Sequence, residues 1–159
     1  MPGVIVRSEG MVIEGVDLDE VVCVATRAAE SADRIELCGG MPVEIAARVL
    51  ETIGGEVDVR LNRYGFESLE QVAAYKTAFM TGEPGDAAFF YSAAESTPLV
   101  QHEGVLVAGI ADENDLRARV QEAHSRGAGI IELYAGLGIT ATAVAREASA
   151  HQLPVGFID

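Results

Sequence analysis

Short β-rich runs alternate with apolar patterns of helical period along almost the whole chain. The first half reads as strand 3–8, strand 11–16, helix 18–31, strand 33–38, helix 42–53 and strand 56–62. A linking helix is expected near 67–81. The second half reads as strand 87–92, a loop or short helix, strand 104–110, helix 112–126, strand 128–134, helix 138–150 and strand 153–158. The helices rest on period and caps. Ala46, Val49, Leu50 and Ile53 recur at i, i+3, i+4 and i+7, which places them on one face. Ser68 and Gln71 spell an S-x-x-Q capping box ahead of Leu69, Val72, Ala73 and Phe79. Gly54-Gly55 predicts a helix stop, since glycine takes the left-handed conformation at low cost. Asp112 is placed to cap the helix that carries Leu116, Val120 and Ala123.

Strands separated by whole helices favour parallel pairing, because a crossover takes about a dozen residues or more. The segment Arg34-Ile35-Glu36-Leu37-Cys38-Gly39-Gly40 returns as Ile130-Ile131-Glu132-Leu133-Tyr134-Ala135-Gly136, an offset of 96 residues from Glu36 to Glu132. Gly10-Met11-Val12-Ile13-Glu14-Gly15-Val16 likewise aligns with Gly104-Val105-Leu106-Val107-Ala108-Gly109-Ile110. These patterns predict an α/β fold with a mainly parallel sheet built from two duplicated β/α halves. A pseudo-twofold would relate the halves, as a small barrel or one continuous sheet. Residues 1–65 would form the first repeat, 66–85 a linking helix and loop, and 86–159 the second, with Thr81–Asp86 as the boundary. One compact unit is expected, because either half alone would make a marginal core.

Composition narrows the partners. Hydrophobic residues make up 49% of the 159, mean hydropathy is +0.22, and no apolar run has the length of a bilayer span. The start Pro2-Gly3-Val4-Ile5-Val6-Arg7 lacks the basic residues and long apolar stretch of a signal peptide, so a cytoplasmic protein is expected. So apolar a chain also suggests a homodimer or larger homo-oligomer. A net charge of −14 argues against nucleic acid and against an anionic membrane surface. Cys23 and Cys38 fit a reducing compartment, and no metal-type Cys/His spacing exists. Cys23, among Val21, Val22 and Val24, is expected in the core.

Candidate chemistry lies on the strand faces. Side chains alternate across a strand, so Arg34, Glu36 and Cys38 share one face while Ile35 and Leu37 share the other. Asp58, Arg60 and Asn62 form a polar face opposite Val57, Val59 and Leu61, and Glu14 stands between Val12 and Val16. The matching positions in the second half are Ala108 for Glu14, and Pro154, Gly156 and Ile158 for Asp58, Arg60 and Asn62. Polar groups therefore gather in the first half, while the second keeps Glu132 with Tyr134 beside it. Such a cluster suits a small polar ligand, with Arg60 clamping a carboxylate or phosphate and a partly desolvated Glu36 or Glu132 as acid or base. The plainer reading is that arginine and glutamate on neighbouring strands form a satisfied ion pair. Gly39-Gly40-Met41-Pro42 opens a helix whose free N–H groups suit an anion, and the same helix start would lower the thiol pKa of Cys38. The chain has no P-loop and no full G-x-G-x-x-G, and no organic cofactor is expected. His124 and His151, near helix ends, are expected at the surface; His102, in the loop before strand 104–110, is either a surface residue or placed to approach a site at one end of the sheet.

The I-E-L-C-G-G segment, the apolar helix after it and the terminal Pro154-Val155-Gly156-Phe157-Ile158-Asp159 resemble a bacterial family of roughly hundred-residue α/β domains of unknown function. Residues 86–159 resemble it best, and the first half resembles a diverged copy; Tyr134-Ala135 departs from the family's Cys-Gly. That resemblance implies a fold and assigns no catalytic residue. Ala32-Asp33-Arg34-Ile35-Glu36-Leu37-Cys38 is similar to a strand of copper-homeostasis proteins with a TIM-barrel fold, which implies a strand ending at a functional rim.

The leading expectation is a small-molecule enzyme using acid/base chemistry, of lyase, isomerase or cyclase type, acting on a polar or anionic metabolite. Glu36 and Glu132 would exchange protons, Arg60 would clamp the anion, and Asn62, Glu14, Arg34, Cys38 and Tyr134 would contact the ligand. The alternative is a non-catalytic metabolite-binding or assembly module. A third reading is an accessory protein whose acidic surface docks a basic partner in a salt-sensitive complex.

Overall fold

The computed structural model describes residues 3–8 and 10–159. The chain divides into two compact units, Met1–Leu61 and Asn62–Asp159. The division falls after Leu61 rather than within Thr81–Asp86, because the residues that follow Leu61 hydrogen-bond to the sheet of the second unit.

In the first unit, β1 (Gly3–Ser8) and β2 (Met11–Gly15) form an antiparallel hairpin. Then come α1 (Val21–Ala28), β3 (Arg34–Leu37), α2 (Val43–Ile53) and β4 (Asp58–Leu61). β3 and β4 pair in parallel, with Glu36 opposite Arg60. Val21, Ala25, Leu37, Ala46 and Val49 make the core, flanked by Ile35, Val59 and Leu61. α1 is shorter than expected because the chain before it closes a turn, Glu20 N–H to the Asp17 carbonyl at 2.9 Å. Cys23 is exposed and not in the core: Val21 and Ala25, one turn apart, point inward, and Cys23 lies between them on the far side of the helix. α2 ends as the glycines predict, with Gly54 left-handed at φ 71° and its N–H on the Leu50 carbonyl. Leu50 itself is 50% exposed.

The second unit holds β5 (Arg63–Tyr64), a 3-10 turn (Phe66–Ser68), α3 (Leu69–Thr81), β6 (Asp86–Ser92), β7 (Val100–His102), β8 (Val105–Ile110), α4 (Glu113–Ser125), β9 (Ala128–Tyr134), α5 (Ile139–Ala148) and β10 (Val155–Phe157). They build one open six-stranded sheet of order β5-β10-β9-β6-β8-β7. The four inner strands are parallel and the two edge strands antiparallel. Among the described residues the strands thus form three separate sheets, neither a closed barrel nor one continuous sheet. α4 and α5 pack through Leu116, Val120, Ala123 and Ala145 onto the sheet face made by Phe90, Leu106, Ile131, Leu133 and Val155. Asp112 caps α4 as expected, its Oδ1 accepting from the Asp115 N–H at 2.9 Å.

α3 departs from its sequence pattern. The capping box does not form. Ser68 Oγ accepts instead from an Arg146 guanidinium nitrogen at 2.8 Å, and Gln71 Nε2 reaches the His151 carbonyl at 2.6 Å. Gln71, Val72, Tyr75 and Ala78 are the half-buried positions, leaving Ala73 exposed, Leu69 48% exposed and Phe79 66% exposed.

Candidate functional site

The face of the six-stranded sheet opposite α4 and α5 carries the most sheltered carboxylate of the second unit. Register aligns Tyr64, Gly156, Glu132 and Phe89 across β5, β10, β9 and β6. Glu132 is 3% exposed. The Tyr64 hydroxyl donates to its Oε1, and the Tyr134 hydroxyl, two residues further along the same face, donates to its Oε2. Placing a carboxylate there costs several kcal/mol of lost hydration, and hydrogen bonds to a charged group return about 1.5–3 kcal/mol each. The Tyr134 ring meets Phe89 edge-on, with centroids 5.6 Å apart and an interplanar angle of 83°.

Asn62 and Gly156 complete this arrangement. Asn62 is 2% exposed and donates from Nδ2 to the Leu133 carbonyl at 3.0 Å, tying the start of β5 to β9. A Cβ on Gly156 would lie 2.2 Å from Asn62 Oδ1 and 3.0 Å from the Tyr64 ring, so both side chains occupy the place of a missing one. Tyr75 on α3 belongs to the same electrostatic neighbourhood. Burial, then the carboxylates of Glu132 and Asp86, push its phenol above the ordinary 10.0.

The first unit shows a different arrangement. Arg34 Nε lies 2.9 Å from Glu36 Oε1 and 3.8 Å from Asp58 Oδ2, while Arg60 Nε lies 2.8 Å from Asp58 Oδ1. This is an ion-pair network on one face of β3 and β4. Its side chains are 40–50% exposed except that of Glu36, at 15%. Glu14 is exposed on β2, in the other sheet, and Asn62 belongs to the second unit; neither joins the network. Cys38 follows β3, half-buried and outside any disulfide. His102 and His151 are exposed and His124 half-buried. Among the described residues, no three His, Cys, Asp or Glu side chains come together as a metal site.

Two participants escaped the sequence reading. Tyr64 sits on a two-residue strand too short to show a period, and Tyr75 was hidden by the wrong inward face for α3. Only the asparagine just before Arg63-Tyr64 marks that stretch as polar in a buried setting.

Two cavities of the second unit flank its sheet at opposite ends of the parallel strands. One, of about 450 Å³, opens at the carboxyl ends of β6, β8 and β9, between Ser92, Ile110, Leu116, Leu137, Thr140 and Val144. The other, of about 340 Å³, lies beneath α3 at the amino ends of β6, β9 and β10. Glu132 lines neither. No helix among the described residues is long and apolar enough to cross a membrane.

No curated protein and no solved structure matches the chain. Residues 7–77, from the end of β1 into α3, match a family of unknown function (DUF6506), a span that takes in Ile35–Gly40 and stops short of residues 86–159.

Proposed function

We propose that this chain is a small-molecule enzyme of lyase, isomerase or cyclase type, with Glu132 as the group that takes and returns a proton. One observation carries the reading: a buried carboxylate whose two oxygens are each held by a tyrosine hydroxyl. The two phenols fix the plane of the carboxylate and so which of its lone pairs are turned toward a reacting atom. Once Glu132 is protonated, its O–H donates back to one of the tyrosine oxygens, so the proton stays in the site until it is returned. Glu36 is the second acid/base candidate, with Arg60 able to trade Asp58 for a substrate anion. In this reading the protein works in the cytoplasm as a homodimer.

The reading includes an internal duplication, and the order of elements supports it. In both units a hairpin, a helix, a strand, a helix and a strand follow in that order, and the last two strands pair in parallel. Glu36 pairs with Arg60 and Glu132 with Gly156, at the same offset of 96 residues.

The test is consumption of metabolites from a small-molecule extract, followed by mass spectrometry, for the wild type and for Glu132→Gln and Glu36→Gln. Turnover that disappears in Glu132→Gln supports the assignment; turnover untouched by both changes removes it. A second reading, a non-catalytic metabolite-binding module, is favoured by the cavity at the carboxyl ends of β6, β8 and β9, where open α/β sheets place their ligands. Binding without turnover would select it.

A further inference from the structure

The outer face of α3 and of the 3-10 turn before it is apolar and exposed. Phe66 is 91% exposed and Met80 77%, and Leu69 and Ala73, also exposed, stand between them at helical spacing. Phe66, Leu69 and Met80 together present about 400 Å² of apolar surface, the size at which a patch on a monomer marks an interaction site. The stripe is symmetric about Ala73. Phe66 stands seven residues before it and Met80 seven after; Leu69 stands four before and Thr77 four after; Glu70 stands three before and Lys76 three after. Thr77 Oγ1 donates to the Ala73 carbonyl at 3.0 Å, so covering Thr77 leaves no hydroxyl unsatisfied. Glu70 and Lys76 flank the stripe, and among the described residues neither has an ion-pair partner. Lys76 is the only lysine of the chain.

We infer that α3 pairs antiparallel with α3 of a second copy of this chain, about a twofold axis that passes beside Ala73. In such a contact residue i meets residue j while j meets i. Phe66 then lies level with Met80 of the partner subunit, Leu69 with Thr77 of the partner subunit, and Glu70 with Lys76 of the partner subunit. Each pair occurs twice. Facing alanines let the helix axes approach to about 8 Å, so Glu70 reaches across the seam to the partner's Lys76. Charge selects this occupant. An anionic membrane would be repelled by a chain of net charge −14, and a basic partner would set like charge against Lys76. A second copy gives each charge its opposite and sets Phe66 against Met80. Two such stripes cover an area at the low end for specific interfaces, which sets the expected dissociation constant in the micromolar range. The inference supplies the surface for the homodimer in the reading above and does not depend on proton transfer by Glu132.

The test is analytical ultracentrifugation of the full chain, from about 1 to about 200 µM. A monomer–dimer equilibrium is expected, and Met80→Glu should weaken it at least about tenfold. Glu70→Lys alone sets lysine against lysine and should weaken it about tenfold, and adding Lys76→Glu should bring it back to within about twofold of wild type. These positions are exposed, and circular dichroism checks that each variant keeps its fold; if Met80→Glu does not, the charge pair decides. Carbodiimide coupling should also yield a covalent dimer linked from Lys76 to Glu70 and lost in Lys76→Arg. A wild type that stays monomeric throughout would overturn the inference and the homodimer together. A dimer untouched by Met80→Glu, or not restored by the double charge exchange, would overturn this surface and leave the homodimer standing on another face.

Discussion

Replacing Gly156 with alanine is expected to destabilise the unit Asn62–Asp159 by about 2–4 kcal/mol. The new methyl would stand 2.2 Å from Asn62 Oδ1 and 3.0 Å from two Tyr64 ring carbons, distances that no rotation of the methyl relieves. Something must move. If Asn62 gives way, its bond to the Leu133 carbonyl is lost inside a closed environment, a loss of about 1–3 kcal/mol. If Tyr64 gives way, Glu132 loses the hydroxyl on Oε1. Overpacking adds about 1–3 kcal/mol, and the gain from stiffening the unfolded chain returns about 0.4–1 kcal/mol. The assay is urea unfolding followed by tyrosine fluorescence. The chain has no tryptophan, and its four tyrosines, at 64, 75, 91 and 134, all lie in the second unit, so the signal reports that unit alone. For an m-value near 2 kcal/mol/M, the midpoint should fall by about 1–2 M. Asn62→Ala placed on top of Gly156→Ala should cost much less than Asn62→Ala alone, because it reopens the space. A midpoint within 0.3 M of wild type for Gly156→Ala, about 0.6 kcal/mol, would refute the crowding argument.

Other expectations follow from the same packing. Tyr134→Phe should destabilise the second unit by about 1.5–3 kcal/mol by removing a donor from a buried carboxylate, read as a lower urea midpoint. Asp112→Ala should cost about 1 kcal/mol through the lost cap on α4, and Asp112→Asn should restore most of it. Tyr75, whose phenol is raised above 10.0, should ionise above the ordinary tyrosine value in an ultraviolet titration, and its share of the signal should vanish in Tyr75→Phe. Because the folded value is the higher one, its contribution to stability is complete below the unfolded tyrosine value and is lost as pH climbs through the folded value. Arg34→Ala, at a side chain 40% exposed, should change thermal stability by no more than about 1 kcal/mol, and less in high salt.

Elements with a long apolar period could be read directly from the chain. α4 matched because Leu116, Val120 and Ala123 all face the core and Asp112 announces the start. β9 matched because alternation separates Ile131 and Leu133, packed under the helices, from Glu132 on the other face. What failed depended on distant partners. Ser68 and Gln71 have the spacing of a capping box, yet Arg146 and His151, far along the chain, outcompete the local bonds. Glu36 and Glu132 look alike in sequence and fare differently: Arg34 stands beside one, two tyrosines hold the other. Tyr64 contributes from a strand of two residues that exists only because β10 offers it an edge. The valines around Cys23 suggest a core position, and helical phase overrules composition.

The position of β6 at the centre of the sheet has a consequence for synthesis. It is flanked by β8 and β9, both of which follow it in the chain, and β9 ends at Tyr134. At about 5–20 residues per second, the ribosome needs about 2–8 s to pass from the end of β6 to the end of β9. Throughout that interval Ala87-Ala88-Phe89-Phe90-Tyr91 emerges as an uncharged, aromatic, strand-forming window with one or both of its neighbours still unmade. The nascent chain should therefore be most prone to aggregate, and most dependent on chaperones, when translation stalls between Ser92 and Tyr134, before both neighbours of β6 are complete.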